Sequence, residues 1–436
     1  MEKTIVLNSI SKKKLFFILF SLYMVLTMCI PYGVNLLRFV LYLSVCFLSI
    51  WSADFKIKKN GLIVLICFLI YNLFSLIIGA FRSPEGAIAE LRAEFLWPIF
   101  FLFWGQAISD EKSLIKTVKI IISIYTYLLI IDFLAVICGF LHINIPLFGK
   151  IIAHPILQHE LGVTTDIYFW FRFWHMSTYL FMIPLTISMF IIGGYEEIIK
   201  KRTLLFLLFL ELINTFTSNR SALMIIYFVT IPFSCFICFF FVRNKRIRYT
   251  VLCNFLITIL LIIVSIIIFN MIIPFNFIDM LKYGIIEKVL HNNDVHADGI
   301  RPAMHRALLD GWSNSPVFGF GLGTYTNEVI RDIRSKWIYE SFYHAMLFKK
   351  GIMGLAIFFL FNLWIFFSNI SFCNQYKKLC YISLPMSIAL FMTLIGSSED
   401  PYLQTLGNMW MIYLPFIVAN TKYKILKQEK KTKESD

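Results

Sequence analysis

The sequence predicts an all-α polytopic membrane protein with about twelve transmembrane helices. Composition is the first observation behind this. Of 436 residues 59% are hydrophobic and the mean hydropathy is +0.75, outside the usual make-up of a soluble domain. The second is segment length: apolar runs of about 17 to 25 residues recur along the chain, enough to cross ~30 Å of hydrocarbon as helix. The third is charge placement, since Lys and Arg gather in short loops between those runs, where they set orientation in a bilayer.

In order, the expected spans are about 15–31, 35–51, 61–80, 95–108, 114–141, 174–194, 203–217, 219–242, 250–273, 345–368, 379–396 and 404–420, the fourth and seventh being short. Lys12, Lys13 and Lys14 precede the first run as in a signal peptide, but no small-residue cleavage site follows, so it reads as an uncleaved span. With the N-terminus inside, the inner segments carry 25 of the chain's 40 Lys and Arg, and each short outer loop carries two or fewer. Both termini are therefore expected in the cytoplasm. The organisation is nine spans in 1–273, a large, partly helical outer loop in 274–343, three spans in 344–420 and a basic cytoplasmic tail in 421–436. The outer loop from His142 to Trp174 holds Tyr168, Phe169, Trp170, Phe171, Phe173 and Trp174 just before the next span, rings suited to the membrane–water interface.

The net charge of +14 does not signal nucleic acid, because no soluble basic surface with interleaved aromatics exists to bind it. Nine cysteines lie within or beside apolar runs, and the long polar loop has none. Cys235 and Cys238 form a C-x-x-C inside a span and read as small apolar filler.

The residues that could carry chemistry collect at the outer face. Arg220, in Thr217-Ser218-Asn219-Arg220, stands where the seventh span turns into the eighth. A helix N-terminus with a guanidinium suits phosphate oxygens, although a snorkelling arginine would occupy the same place. Arg301 precedes Pro302, which suits the start of a helix. That helix runs to about Trp312, with Arg301, His305, Leu308 and Trp312 along one face. Arg306 and Asp310, four apart, form either a surface ion pair or part of the site. Ser315-Pro316 ends the helix, and Gly319-Phe320-Gly321-Leu322-Gly323 follows. Its glycines suit tight turns or a close backbone approach better than nucleotide binding at an outer face. His344 opens the tenth span beside Tyr343, ahead of Lys349-Lys350-Gly351-x-x-Gly354. A histidine there could take a proton from a sugar hydroxyl. No second ligand stands at metal-binding spacing on that helix.

Together these residues resemble the bacterial O-antigen polymerase and O-antigen ligase superfamily. The shared pattern is Arg220 opening a helix, then Arg301, Ala307-Leu308 and Pro316-Val317-Phe318-Gly319-Phe320-Gly321, then His344, then Gly351-Ile352-Met353-Gly354. Three positions depart from it. Ala345 follows the histidine where Asn is frequent, Lys349-Lys350 stand where an acid is frequent, and His305 replaces an aromatic.

The resemblance implies a metal-independent, inverting glycosyltransferase in the bacterial inner membrane, with its active site facing the periplasm and no cofactor. Its donor would be a glycan on undecaprenyl diphosphate. Arg220 and Arg301 would hold the diphosphate, with Arg172 and Arg306 as further phosphate-facing residues, and His344 would orient or deprotonate the acceptor hydroxyl. Catalysis would rest on His344, Arg301 and Arg220. The partners implied are the lipid-linked donor, the glycan acceptor and membrane lipids, with a chain-length regulator and a flippase beside them. A polymerase joining repeat units of O-antigen or capsule is favoured, partly because Ser397-Ser398-Glu399-Asp400-Pro401-Tyr402-Leu403 resembles a loop of chain-extending members. The alternatives are a ligase that transfers the glycan to lipid A core and a transporter or flippase for lipid-linked sugars. The transporter fits less well, because the charges gather at one surface and no internal repeat is visible.

Overall fold

The computed structural model describes residues 2–31, 34–52, 59–140, 163–165, 168–170, 175–218, 220–272, 282, 300–330, 333, 335–398, 401–404 and 406–435. Apolar runs become helices because a backbone removed from water must satisfy its own hydrogen bonds. The first six helices are α1 Glu2–Cys29, α2 Asn35–Ser52, α3 Lys59–Arg82, α4 Pro84–Leu91, α5 Trp97–Trp104 and α6 Glu111–Phe140. A π-helical turn, Arg92–Leu96, joins α4 to α5. Then come α7 Met176–Ile192, α8 Lys201–Thr217, α9 Ser221–Phe241, α10 Lys245–Ile272, α11 Ile300–Ser313, α12 Phe342–Gln375, α13 Cys380–Gly396 and α14 Trp410–Ser435.

Among the described residues, five helices are long and apolar enough to cross a membrane: α3, α6, α9, α10 and α12. Residues 36–51 of α2, α7, α13 and residues 410–421 of α14 are shorter apolar helices. Position in the bundle follows composition. Every residue of α7 is buried, and so is α14 from Trp410 to Thr421, as expected of helices apolar on all sides. On α10, by contrast, Leu252, Leu256, Leu260, Ile263 and Ile267 are exposed, an apolar surface that suits lipid. Between apolar helices in lipid, association rests on close packing rather than on water exclusion. A Cβ on Gly396 would run into Ile226 and Leu180, so α13 sits hard against α9 and α7.

The bundle has two chemically distinct ends. At one, Lys13 pairs with Asp110 at 2.5 Å, Tyr376 donates to Glu111 at 3.0 Å, and Asn374 donates to the Phe241 carbonyl at 2.8 Å. At the other, Thr178 donates to the Met28 carbonyl at 3.1 Å, Ser177 to Asn408 at 2.9 Å, and the Phe342 amide to the Ser398 carbonyl at 3.1 Å. The candidate site lies at this second end.

Three expectations need correction. The fourth apolar segment does not begin near residue 95; its helical path starts at Pro84 and passes through Glu90 and Glu94. Hydropathy rejects that half because of its carboxylates, which are neutralised by lysines from α12, as described below. The all-α class holds among the described residues, with one short hairpin beside the helices: Val163–Thr165 (β1) pairs antiparallel with Tyr168–Trp170 (β2), with Thr164 opposite Phe169. The cysteines are not all filler, because Cys373 and Cys380 are joined by a disulfide at the α12–α13 corner. Finally, the charges do not all collect at one surface. Glu211 in α8 is fully buried and accepts from Thr186 at 2.5 Å. Asp132 in α6, also fully buried, accepts from His175 at 2.6 Å and from Tyr179.

Candidate functional site

The site is built on α11 and the start of α12. Pro302 sits in the first turn of α11, and helical spacing stacks Arg301 below His305. Met304 and Leu308, on the inward side, pack with Tyr339, Ala345 and Phe348 in a small apolar cluster. That cluster docks α11 on α12. The polar face of α11 then meets two consecutive residues ahead of α12. The Arg301 Nε donates to Glu340 Oε2 at 2.6 Å, and the His305 Nε2 bonds the Ser341 hydroxyl. The His305 ring lies parallel to the His344 ring, 4.5 Å between centroids and 10° between planes. Arg301 and His305 on one turn of α11 thus form a cluster with His344, some forty residues on.

Beneath them, Tyr339 anchors the approach to α12. Its hydroxyl accepts from the Thr326 amide at 2.7 Å, and its carbonyl accepts from Gln404 at 2.9 Å. Burial pushes the phenol up to about 12, so it stays neutral over the ordinary pH range.

The glycine-rich loop has an architectural role. Gly351 takes a non-helical conformation inside α12, with φ of 63°, and breaks the helical hydrogen-bond ladder there. Residues 316–321 fill the break. The amides of Phe320 and Gly321 donate to the carbonyls of Phe348 and Lys349 at 2.9 and 2.8 Å, while the amides of Ile352 and Met353 donate to the carbonyls of Pro316 and Val317 at 2.9 and 3.2 Å. Tyr71 of α3 donates to the Lys350 carbonyl at 2.5 Å. The two glycine motifs are therefore mates, each completing the other's backbone. Gly321 has φ of 98° and lies against the backbone of Gly79 so closely that neither tolerates a Cβ. With the amides of residues 319–322 all donating to carbonyls and that of Gly323 to Glu90, the loop is no phosphate cradle.

Lys349 and Lys350, at the break, turn into the bundle. Lys349 pairs with Glu90 and donates to the Trp337 carbonyl at 2.7 Å. Lys350 pairs with Glu94 at 2.7 Å and bonds Asn72 at 3.1 Å. The lysine side chains are only 4% and 2% exposed, so their charges are compensated by carboxylates rather than water. A small cavity between α4 and α12 is lined by these four charges with Phe342, Met346 and Gln404.

Arg220 caps the N-terminus of α9 with extended backbone, and its amide donates to Ser218 at 3.4 Å. It shares the end of the bundle with His344, since Ile226 of α9 packs on Gly396 and the Ser398 carbonyl accepts from Phe342. Arg306 is exposed; its Nε reaches the Pro302 carbonyl at 3.4 Å, and no ion pair joins it to Asp310. Arg172 lies outside the described residues. Among the described residues, no three His, Cys, Asp or Glu side chains gather to hold a metal.

The sequence reading missed Glu340 and Ser341, although both immediately precede a span and lie within reach of a helix face carrying Arg301 and His305. It also missed the partners of Lys349 and Lys350. The signal for those was a pair of carboxylates four residues apart, Glu90 and Glu94, entering an apolar run.

No protein-family model matches the chain, and no curated protein matches it either.

Proposed function

We propose that this protein is an inner-membrane glycosyltransferase that joins undecaprenyl-diphosphate-linked repeat units into a surface polysaccharide at the outer leaflet. All twelve apolar segments cross the bilayer in this reading, with both termini in the cytoplasm. The observation that carries it is the cluster at one end of the bundle: Arg301 bonded to Glu340, His305 bonded to the adjoining Ser341 and stacked on His344, with Arg220 at the same end. Such an arrangement offers guanidinium groups to a diphosphate leaving group, where negative charge grows as the glycosyl bond breaks. It also offers an imidazole to the acceptor hydroxyl. The lipid-linked diphosphate already activates the sugar, so no nucleotide is needed on that side of the membrane.

The test is a set of alanine variants at Arg220, Arg301 and His344, scored by polysaccharide chain length in a strain lacking the native gene. Each variant is expected to reach the membrane and to leave single repeat units in place of long chains. Normal chains from all three would overturn the reading. Bare core with accumulated lipid-linked polymer would move it to the ligase.

One observation favours a second reading, transport of lipid-linked sugars. The ion pairs Lys349–Glu90 and Lys350–Glu94 lie inside the bundle, and charges at membrane depth mark pathways in transporters. Their mutual neutralisation fits a structural role, which is why the enzyme is preferred. Reconstituted vesicles decide between them. Translocation of a lipid-linked glycan without new glycosidic bonds would favour transport.

A further inference from the structure

Resting on that reading, we infer that His305 is a positioning residue for His344: it fixes the orientation of the imidazole that meets the acceptor hydroxyl. His344 is the third residue of α12, in the first turn, where the helix itself supplies no side-chain neighbour on its N-terminal side. Its flat face is covered instead by the His305 ring, parallel and 4.5 Å away. Stacking at this spacing is modestly favourable for an aromatic pair, which biases the plane of the His344 ring.

His305 can do this because it is itself held at both ends. Its backbone belongs to α11, docked on α12 through Met304, Leu308 and Phe348. Its Nε2 is tied to the hydroxyl of Ser341, three residues before His344. One helical turn earlier, Arg301 is tied to Glu340, the neighbour of Ser341. The dipeptide Glu340-Ser341 therefore sets two side chains of α11 at once, and the second passes that placement on to His344. His305 and His344 are both half-buried, so the pair has one side toward solvent and one toward protein. A reacting group displaced by ~1 Å loses on the order of a hundredfold in rate, so control over this ring matters to the reaction.

Three variants separate stacking from hydrogen bonding. His305→Phe keeps a ring over His344 and loses the Ser341 bond, Ser341→Ala loses only that bond, and His305→Ala loses both. Each is purified into lipid nanodiscs and assayed with an undecaprenyl-diphosphate-linked oligosaccharide. His305→Ala is expected to lower kcat between about tenfold and a hundredfold with the KM for donor nearly unchanged. His305→Phe should recover most of that loss. A second readout needs no turnover: in protein labelled at histidine, the His344 ring signal, identified by its loss in His344→Ala, should be single and sharp in wild type and His305→Phe but broadened or split in His305→Ala. Equal losses in the Phe and Ala variants, a loss confined to KM, or an unchanged ring signal in His305→Ala would overturn the inference. If the ring signal responds as expected while His344→Ala retains full activity, the positioning stands and the enzyme reading falls.

Discussion

Lys350 Nζ lies 2.7 Å from Glu94 Oε2, joining α12 to the π turn between α4 and α5 across 256 residues of sequence. Both side chains are largely withdrawn from solvent, at 2% and 15% exposure. Beside them, Lys349 and Glu90 repeat the pairing one turn away. Removing one partner of a buried pair leaves an uncompensated charge, which costs about 3–5 kcal/mol. Lys350→Met is accordingly expected to lower the thermal midpoint of the detergent-purified protein markedly. The double reversal Lys350→Glu with Glu94→Lys should recover part of it. A Lys350→Met protein with an unchanged midpoint would show that the pair does not contribute to stability.

The backbone contact between Gly79 and the glycine-rich loop predicts a steep dependence on side-chain size. A Cβ on Gly79 would strike the Leu322 carbonyl, and Gly321 also needs its positive φ. Gly79→Ala and Gly321→Ala should each cost about 1–3 kcal/mol or more in stability. Gly61→Ala meets only the edge of the Trp364 side chain, which can swing away, and should cost less. Comparison of the three thermal midpoints checks this ordering.

Orientation is testable because two features of the chain point opposite ways. The charge bias puts the end with Lys13, Lys201 and Lys378 in the cytoplasm. Yet the Cys373–Cys380 disulfide lies at that end, and disulfides persist mainly in oxidising compartments. Both cysteines are 2% exposed, and labelling from one side of the membrane decides between the two signals. A cysteine at exposed Glu328 should react with an impermeant maleimide on cells opened only at the outer membrane. One at exposed Lys201 should react only after permeabilisation. The reverse pattern would place His344 in the cytoplasm and end the outer-leaflet reading.

Asp132 offers one carboxylate oxygen to both His175 and Tyr179 deep in the bundle. Asp132→Ala strips an acceptor from two buried donors, each worth about 1–3 kcal/mol. The loss should appear as poor recovery of folded protein on size exclusion. Asp132→Asn, which keeps the shape and one acceptor, should be milder.

Much of the site was legible because its signals are local. Pro302 marks a helix start, and the four-residue step from Arg301 to His305 places both on one face; the observed α11, Ile300–Ser313, matches that reading. His344 opens its helix for the same kind of reason. Other parts were not legible. Nothing near Gly351 announces that its broken hydrogen bonds are completed by Pro316 to Gly321, because a backbone amide carries no sequence label. The stacking of His305 on His344 depends on how α11 docks, which the cluster of Met304, Leu308 and Phe348 decides.

The amino-acid order alone determined that this is a bundle of apolar helices with a basic end and a second end carrying Arg220, Arg301 and His344. Hydropathy and helical periodicity act over a turn or a span, so they can be read without neighbours. Only the tertiary structure decided that Glu90 and Glu94 belong inside the bundle. A buried carboxylate is unfavourable by itself and becomes tolerable only beside its counter-charge, and here that charge comes from lysines 259 and 256 residues away in the chain.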